Sequence, residues 1–419
     1  MYDNIRFSIK TFSILSFEGI KYLFHRNYDS LIKNISIKLA KENMFYVKFL
    51  QAFSTNHNFL SKELIDFLLS YTDNVEFNKK QIDYGFCSSI INVNKKYPHL
   101  EIDLNDLRVI NSGLIAVVFK GKMKNKEVVV KVLKNNIKNE MDIAIKRIEF
   151  LINIFKYLPV FKTLNISEIF QENKTIMQEQ INFISEINNI KDFGNRFKNI
   201  DDIIIPNVYD EFTNYDNNII VMDYINGRKI NQINDYEKDD YGLLLAKFGA
   251  KCILYDGIYH GDMHPGNIIF INENDKLKVG IIDFGIVGRL SREEQNCFYV
   301  FFSNLLSENF KQASQVILDM LTETSNFDIV LSDNDREKIL EKLNNICEHA
   351  LLTKHNFDAS DILKINEVLN KHDLKLSRFF CRLELALAIS DSVSQTLSHK
   401  RTYIDNLQIA MKTFCPDFL

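Results

Sequence analysis

Three side chains that could supply oxygen ligands lie within residues 256–289 of this chain. Asp262 precedes Asn267 by five positions, in a stretch broken by a proline and a glycine. Asp283 directly follows the apolar run of residues 279–282, which is typical of a buried strand. Mg²⁺ prefers such oxygen ligands and keeps several waters, so a few protein groups suffice to hold it. These residues could therefore support phosphoryl transfer, which depends on metal ions and donors placed around the transferred group.

The order and the surroundings of these residues are typical of a protein-kinase site. Residues 260–267 read H-G-D-M-H-P-G-N, residues 283–285 read D-F-G, and the segment between them is typical of a β-hairpin. In protein kinases a loop Asp acts on the acceptor hydroxyl and a loop Asn holds one Mg²⁺, while the Asp of D-F-G holds metal that bridges the phosphates. We therefore predict that Asp262 is catalytic and that Asn267 and Asp283 bind the metal.

A lysine inside an apolar strand is the next candidate group. Three runs are rich in β-forming residues: 107–111, 115–120 and 127–133. Residues 121–126 are predicted to join the last two as a hairpin. The third run places Lys131 among valines, and because burial of an unpaired ammonium is costly, Lys131 requires an anionic partner. In kinase-type N-lobes this lysine contacts the nucleotide phosphates and pairs with a helical Glu. We predict Glu186, in the helical region 167–197, as that partner, with Glu179 as the second candidate.

A later segment could bind the base of a nucleotide. Residues 206–209 and 218–223 are typical of strands. Residues 222–227 then read as a hinge, in which Met222 and Tyr224 would meet adenine through the backbone.

Helical patterns dominate both ends of the chain. In the first hundred residues they are clearest at 31–50 and 62–71. From Ser291 onwards they are clearest at 293–306, 313–321, 335–352 and 378–397. We therefore expect three domains, with these bounds: 1–100 as a helical extension, 101–225 as a kinase-like N-lobe and 226–419 as a helical C-lobe.

Composition excludes several classes of protein. The 419 residues are 46% apolar and 25% charged, which is ordinary for a globular protein. A net charge of −4 gives no support to a nucleic-acid partner, and we predict none. The six cysteines are scattered without a C-x-x-C pair, which indicates reduced intracellular thiols and not a disulfide framework or a zinc site.

The N-terminal segment indicates where in the cell the protein is located. It lacks the features of a signal peptide, and no run of about twenty apolar residues occurs in the chain. We expect an intracellular protein that is soluble or peripheral to a membrane. Residues 7–24 are rich in aromatics and partly amphipathic, which favours a helix packed on the rest of the protein; peripheral contact with a membrane surface is the alternative.

Taken together, these motifs resemble the UbiB-type atypical kinases, also called aarF-domain-containing kinases, which are associated with ubiquinone biosynthesis. The loops at residues 260–267 and 283–288 match the family's H-x-D-x-H-P-G-N and D-F-G-x-x-G. The sequence F-I-S-E-I-N-N (residues 183–189) resembles F-x-x-E-A-x-N, and V-V-K (residues 129–131) matches V-A-x-K. K-F-L-Q (residues 48–51) resembles the family's K-x-G-Q element.

The resemblance implies an α+β, bilobal protein-kinase-like fold. The N-lobe would be a small antiparallel β-sheet, the C-lobe would be helical, and a helical extension would pack over the active site. ATP and Mg²⁺ are the implied cofactors, and the acceptor would be a small molecule or a lipid-linked compound and not a protein. The resemblance places Ser112, Gly113 and Ala116 at the nucleotide, in a loop that lacks G-x-G-x-x-G, and it makes Lys48 and Gln51 gating residues.

Some positions depart from the family pattern. Leu50 replaces the Gly of K-x-G-Q, and Gln180 and Asn182 replace two acidic residues that the family's gating lysine contacts. Autoinhibition is therefore a weaker expectation than metal binding. Two alternatives stay open: an aminoglycoside- or choline-kinase-like phosphotransferase, which lacks the K-x-x-Q helix, and a nucleotide-binding pseudokinase scaffold. A homodimer also stays open.

Overall fold

The computed structural model describes most of the chain. The described residues are 2–55, 64, 67–68, 78–155, 166–324, 331–357, 359–377, 393, 396–397 and 399–414. The helices predicted at 62–71 and 378–397 lie largely outside them. The chain divides into two compact units. Unit 1 comprises Met1–Asn188 and Asn207–Tyr224, and unit 2 comprises Asn189–Pro206 and Ile225–Leu419.

Helices make up most of the described secondary structure. In chain order the α-helices are α1 (Tyr2–His25), α2 (Tyr28–Ala40), α3 (Phe45–Thr55), α4 (Gly85–Lys96), α5 (Ile137–Phe155), α6 (Ile166–Gln180), α7 (Phe183–Phe197), α8 (Asp210–Tyr215), α9 (Asp235–Ala250), α10 (Arg292–Leu306), α11 (Phe310–Met320), α12 (Asp333–Glu348), α13 (Ala359–Asn370) and α14 (Tyr403–Phe414). Among the described helices, none combines the length and the apolar character needed to cross a bilayer.

The strands are short and mostly antiparallel. In chain order they are β1 (Arg108–Ser112), β2 (Ala116–Met123), β3 (Lys126–Leu133), β4 (Ile203–Ile204), β5 (Ile219–Asp223), β6 (Ile258–His260), β7 (Ile268–Glu273), β8 (Lys276–Ile281), β9 (Val287–Arg289), β10 (Thr322–Thr324) and β11 (Leu374–Leu376).

Unit 1 contains the antiparallel sheet β1-β2-β3-β5. Strand β3 alternates between two cores: Val128 and Val130 share one with Phe86 of α4, while Leu133 faces the other, which includes Phe183 of α7. Residues 121–126 were expected to form the β2–β3 connection. The strands instead continue through most of that segment, and the turn is confined to the two residues between Met123 and Lys126.

The N-terminal helices belong to unit 1. Helices α1 and α3 pack on α5, and α3 also packs on α6. Phe49 of α3 lies 5.1 Å, centroid to centroid, from Phe170 of α6. The single helix expected over residues 31–50 is divided after Ala40, where Asn43 Oδ1 accepts a hydrogen bond from Phe45 N at 2.9 Å and starts α3.

A second predicted helix is also divided. The region 167–197 forms α6 and α7, which are separated at Ile181 and Asn182. Asn182 Oδ1 accepts a hydrogen bond from Ser185 N at 3.2 Å, the pattern of a residue that caps a helix N-terminus. The strand predicted at 206–209 is reduced to an isolated bridge between Val208 and Met222.

Unit 2 contains the predicted hairpin, β7–β8, together with helices. Strands β7 and β8 pair as expected, and β4 adds to β8 in parallel. Strands β6 and β9 form a two-stranded ribbon. Residues 261–267 follow β6, and the D-F-G segment (residues 283–285) precedes β9. The expectation of only helices beyond Ser291 is wrong at β10 and β11, which pair antiparallel. Leu374 and Leu376 are buried, as expected for alternate side chains on one face of a strand.

Candidate active site

The Lys131–Glu186 ion pair forms within unit 1. Lys131 lies in β3 opposite Val118 of β2 and Ile220 of β5, on the face that packs against the helices. Its Nζ lies 2.7 Å from Oε1 of Glu186, whose side chain is almost fully buried in the first turn of α7. The same Nζ lies 5.4 Å from the ring centroid of Phe183. The apolar strand thus obtains the anionic partner that its lysine required.

The residues expected at the nucleotide also lie in unit 1. Ser112 ends β1 and is buried, and Ala116 begins β2. Gly113 N donates to Ala116 O at 2.9 Å, which closes the short loop between these strands.

Of the predicted hinge residues, Met222 lies in β5 and Tyr224 follows that strand, and both use backbone groups in the sheet. Met222 pairs with Val129 of β3 and is buried. Tyr224 N donates to Glu127 O at 3.2 Å, so this N–H is already used. A backbone contact between Tyr224 and adenine would therefore have to use its carbonyl.

The predicted gating residues lie on α3. Lys48 is half-buried, and Gln51 follows one turn later on the same helix. Leu50, which replaces a glycine of the family pattern, packs against the core of unit 1. The side chain that departs from the pattern therefore helps to fix α3 in place.

In unit 2, His260 connects residues 260–267, the predicted catalytic loop (called the catalytic loop below), to the D-F-G segment. Its Nδ1 accepts a hydrogen bond from Asp262 N at 3.1 Å, and its Nε2 lies 2.5 Å from Asp283 O. Burial lowers the pKa of His260, which favours the neutral ring. A neutral imidazole whose Nδ1 accepts a hydrogen bond carries its proton on Nε2. The Nε2–H group of His260 therefore donates to the carbonyl oxygen of Asp283.

Asn267 holds the other end of the catalytic loop. Its Nδ2 donates to Asp262 O at 2.9 Å, and its own carbonyl accepts from Ile282 N at 3.1 Å. His264 braces the same loop, because its Nδ1 accepts a hydrogen bond from Gly266 N at 3.0 Å. These contacts use the amide nitrogen of Asn267 and leave its Oδ1, the atom predicted to bind metal, outside the framework.

Asn189 fixes the D-F-G segment from the side of α7. Asp283 Oδ1 accepts from Gly285 N at 2.9 Å, and Phe284 is fully buried. Asn189 Nδ2 donates to Phe284 O at 3.0 Å. Sequence reasoning did not assign a role to Asn189 or to His260. The available signal was their place in the F-x-x-E-x-x-N and H-x-D patterns.

A charged cluster lies beside the β6–β9 ribbon and was also missed. Arg196 Nε contacts Asp192 Oδ1 at 2.8 Å, and Arg289 Nη2 contacts Asp192 Oδ2 at 2.9 Å. Burial opposes ionisation of Asp192, but the hydrogen bonds from the two arginines hold its pKa below the ordinary value. Lys251 pairs with Asp256 at 2.6 Å just before β6. These pairs secure the strands from which the loops extend.

The unit 2 residues suit magnesium. Asp262, Asn267 and Asp283 offer two carboxylates and one amide oxygen, which are hard ligands. Among the described residues, no cluster of three or more His, Cys, Asp or Glu side chains could hold a metal ion. A small protein ligand set fits Mg²⁺, because this ion completes its shell with water and phosphate oxygens.

The sequence comparison identifies the family. The ABC1 atypical kinase-like domain matches residues 105–317, half of the chain. The chain belongs to the ABC1 atypical kinase-like family. This is the UbiB/aarF group, so the resemblance drawn from the motifs is confirmed.

Several solved structures match the chain. The chain is similar to Rv3197 from Mycobacterium tuberculosis, solved in complex with erythromycin, at 16% identity and a TM-score of 0.50, over 80% of this chain and 87% of that one. It also matches the Rio2 kinase of Chaetomium thermophilum in an ADP/Mg²⁺-phosphoaspartate complex, with 13% identity, 84% and 98% coverage and a TM-score of 0.30. The PK-1 kinase of Cydia pomonella granulovirus matches at 12% identity, 68% and 98% coverage and a TM-score of 0.28. The ABC1 protein described here has a kinase-like α+β fold, as predicted.

Proposed function

We propose that this protein is an ATP- and Mg²⁺-dependent atypical kinase or ATPase of the UbiB type. The observation that carries the proposal is the hydrogen-bonded framework around Asp262, Asn267 and Asp283. His260 and the Asn267 amide secure the backbone at Asp262 and Asp283, so that the two carboxylates and Asn267 Oδ1 can serve a ligand. Family membership supports the same assignment.

Each residue has a defined task in this proposal. Asp262 accepts the proton of the attacking hydroxyl or orients an attacking water. Asn267 and Asp283 hold the metal, and Lys131, oriented by Glu186, binds phosphate oxygens. When bound, Mg²⁺ supplies positive charge to offset the charge that develops on the phosphoryl group.

We further propose a small molecule or a lipid-linked compound as the acceptor, as expected for a UbiB-type protein associated with quinone biosynthesis. Lys48 and Gln51 would restrict access to the site. Leu50 is compatible with this, because it anchors α3 and keeps the two gating positions on a fixed helix.

Thermal unfolding with nucleotides tests the proposal. A ligand that binds only the folded state raises the melting temperature as its concentration exceeds its dissociation constant. We expect ATP and ADP to stabilise the wild type only when Mg²⁺ is present. Asp283→Asn should lose this Mg²⁺-dependent shift, whereas Asp319→Asn, an exposed control, should keep it.

Turnover distinguishes an enzyme from a scaffold. The proposed enzyme hydrolyses ATP, or transfers its γ-phosphate, at a rate that depends on Mg²⁺. If the wild type binds Mg²⁺-ATP but shows no turnover above that of Asp262→Asn, the protein is a pseudokinase. If no nucleotide shifts the melting temperature with or without Mg²⁺, the assignment of the site is wrong.

A further inference from the structure

Helix α1 has two apolar faces, and only one of them packs on the protein. Phe7 and Ile14 are buried in the core of unit 1, where α1 packs against α2 and α5. Glu18 is buried on the same face and pairs with Lys38 of α2 at 2.5 Å. This face explains how α1 is held, but it accounts for less than half of the apolar side chains of the helix.

The opposite face of α1 exposes large apolar side chains. The fractional exposures are 67% for Ile9, 60% for Phe12, 56% for Ile20, 65% for Leu23 and 80% for Phe24. At 100° per residue these positions cover an arc of roughly 120°, opposite Phe7 and Glu18. The stripe runs along a helix of 24 residues, about 36 Å in length. Ser13 and Ser16 fall in the same arc between Phe12 and Ile20, so the stripe consists of two exposed apolar groups on one helix face. Exposed groups of large apolar side chains mark an interaction site.

The charges beside the stripe are positive. Arg6, Lys10 and Lys21 are exposed along one side of it, and Arg26 is exposed just beyond its end. Lys10 and Lys21 also form ion pairs, with Glu42 and Glu18. Within residues 6–26, Glu18 is the single acidic residue and it is buried, so the exposed charge of this segment is entirely basic.

We propose that α1 binds the surface of an anionic membrane, with this stripe in the boundary between head groups and acyl chains. An amphipathic helix with large apolar side chains and a basic border lies in that boundary, and its affinity combines apolar burial with attraction to anionic lipid. The proposal goes beyond phosphoryl transfer and does not depend on it.

The exposed apolar face of α1 could instead pack against a second copy of the chain. Two α1 stripes packed together would bring basic borders close to each other, and like charges that face each other oppose association. Anionic lipid supplies the opposite charge. The charges of the segment therefore favour a membrane over a dimer.

Vesicle flotation of the whole 419-residue chain tests the proposal. The vesicles are phosphatidylcholine alone and phosphatidylcholine with phosphatidylglycerol. The double variant Ile20→Ser/Phe24→Ser removes two exposed side chains from the stripe and should lower partitioning to the mixed vesicles at least tenfold. The matched control, Tyr215→Ser/Tyr236→Ser, removes two aromatic side chains that are exposed elsewhere, at 53% and 77%, and should bind like the wild type.

The charge dependence gives a second readout. Lys10→Gln/Lys21→Gln should weaken binding to the mixed vesicles severalfold and leave binding to pure phosphatidylcholine unchanged, because each basic residue acts through the anionic surface. Circular dichroism should match the wild type for each variant, and the melting temperature should change little, because the altered side chains are exposed and ion pairs of exposed lysines such as Lys10 and Lys21 contribute little to stability.

Two results would overturn the proposal. One is equal flotation of the wild type, the stripe variant and the aromatic control. The other is a dimer of the wild type in sedimentation that Ile20→Ser/Phe24→Ser dissociates, with no binding to either kind of vesicle. Nucleotide-dependent stabilisation should be the same in all these variants, so failure here leaves the proposed kinase function untouched.

Discussion

The candidate residues of unit 1 and those of unit 2 hold their charged groups in opposite ways. In unit 1, the ammonium of Lys131 is matched by the buried carboxylate of Glu186. In unit 2, the loops are held by a neutral imidazole, an amide and backbone groups. The carboxylate of Asp262 has, among the described residues, one ionic contact, and that is with His264 Nε2 at 3.9 Å.

This difference separates stability from catalysis. A buried ion pair depends on both partners, because removal of one leaves the other charge in an apolar environment. A carboxylate that contributes little to the packing can be changed without loss of the fold, but the ligand it serves is then lost. Loss of one partner of the Lys131–Glu186 pair should therefore lower stability as well as phosphate binding, whereas changes in the loops of unit 2 should lower mainly activity.

Asp262→Asn is expected to give the largest effect, and on activity alone. Loss of a general base lowers turnover by about 10²- to 10⁴-fold. The free energy of unfolding should change by about 0.5 kcal/mol or less, because the carboxylate makes no close ion pair. ATP hydrolysis and denaturant unfolding measure the two quantities on the same preparation.

Asp275→Asn is the matched control for this change. Asp275 lies in the β7–β8 turn with φ of 66°, a conformation that Asn also adopts. It should leave hydrolysis unchanged. If Asp262→Asn unfolds the protein, or if both variants lose activity equally, the contrast between the two regions is wrong.

Lys131→Met tests the other side of the comparison. It leaves the Glu186 carboxylate without its ammonium partner and should lower the free energy of unfolding by about 3–5 kcal/mol. The double variant Lys131→Met/Glu186→Leu should recover most of this loss, because an apolar pair can replace a buried ion pair. Urea unfolding measures the free energy of both variants. If the double variant is as unstable as the single one, Lys131 stabilises the fold through contacts other than its ion pair with Glu186.

The sequence predicted the parts of the fold that local pattern determines. Strands β2 and β3 have a two-residue period with a polar turn between them, and the apolar surroundings of Lys131 required a buried acid. It could not predict the bonds from His260 and Asn189, because they end on backbone carbonyls, which every residue has. The β10–β11 pair joins three-residue segments about fifty positions apart, too short to show a period.

Gly288 tests how tightly the unit 2 loops are held by close packing. In the β6–β9 ribbon it faces Tyr259, and a Cβ at this position would lie 2.0 Å from Tyr259 Cζ. Gly288→Ala should therefore lower the free energy of unfolding by about 1–3 kcal/mol. The control is Gly249→Ala in α9, where nothing lies within 4 Å of the added Cβ. That change should stabilise the protein by about 0.5–1 kcal/mol, because alanine restricts the unfolded chain and favours the helix.

Opposite signs for these two substitutions in thermal unfolding would support the close packing of the ribbon. Equal effects would mean that the ribbon adjusts to the methyl group. In that case the strand that leads into the catalytic loop is less tightly held than its hydrogen bonds indicate.

The Arg228–Glu237 pair shows that unit 2 also uses charge for structure, away from the loops. Arg228 Nη2 contacts Glu237 Oε1 at 2.6 Å, and these hydrogen bonds lower the pKa of Glu237 from 4.5 to about 2. A lowered carboxyl pKa stabilises the fold above the unfolded value of 4.5, and the stability is lost as the pH falls from there towards 2. We expect the melting temperature of the wild type to fall between pH 5 and pH 3, and Arg228→Leu to make that fall shallower.

Arg336→Leu is the matched control, because the Arg336–Asp319 pair is partly exposed and contributes little to stability. It should reproduce the pH dependence of the wild type while Arg228→Leu does not. If the melting temperatures of the two variants depend on pH in the same way, Glu237 contributes no more to the pH dependence of stability than an exposed carboxylate does. The contrast between structural and ligand-directed charge would then apply to the Lys131–Glu186 pair alone.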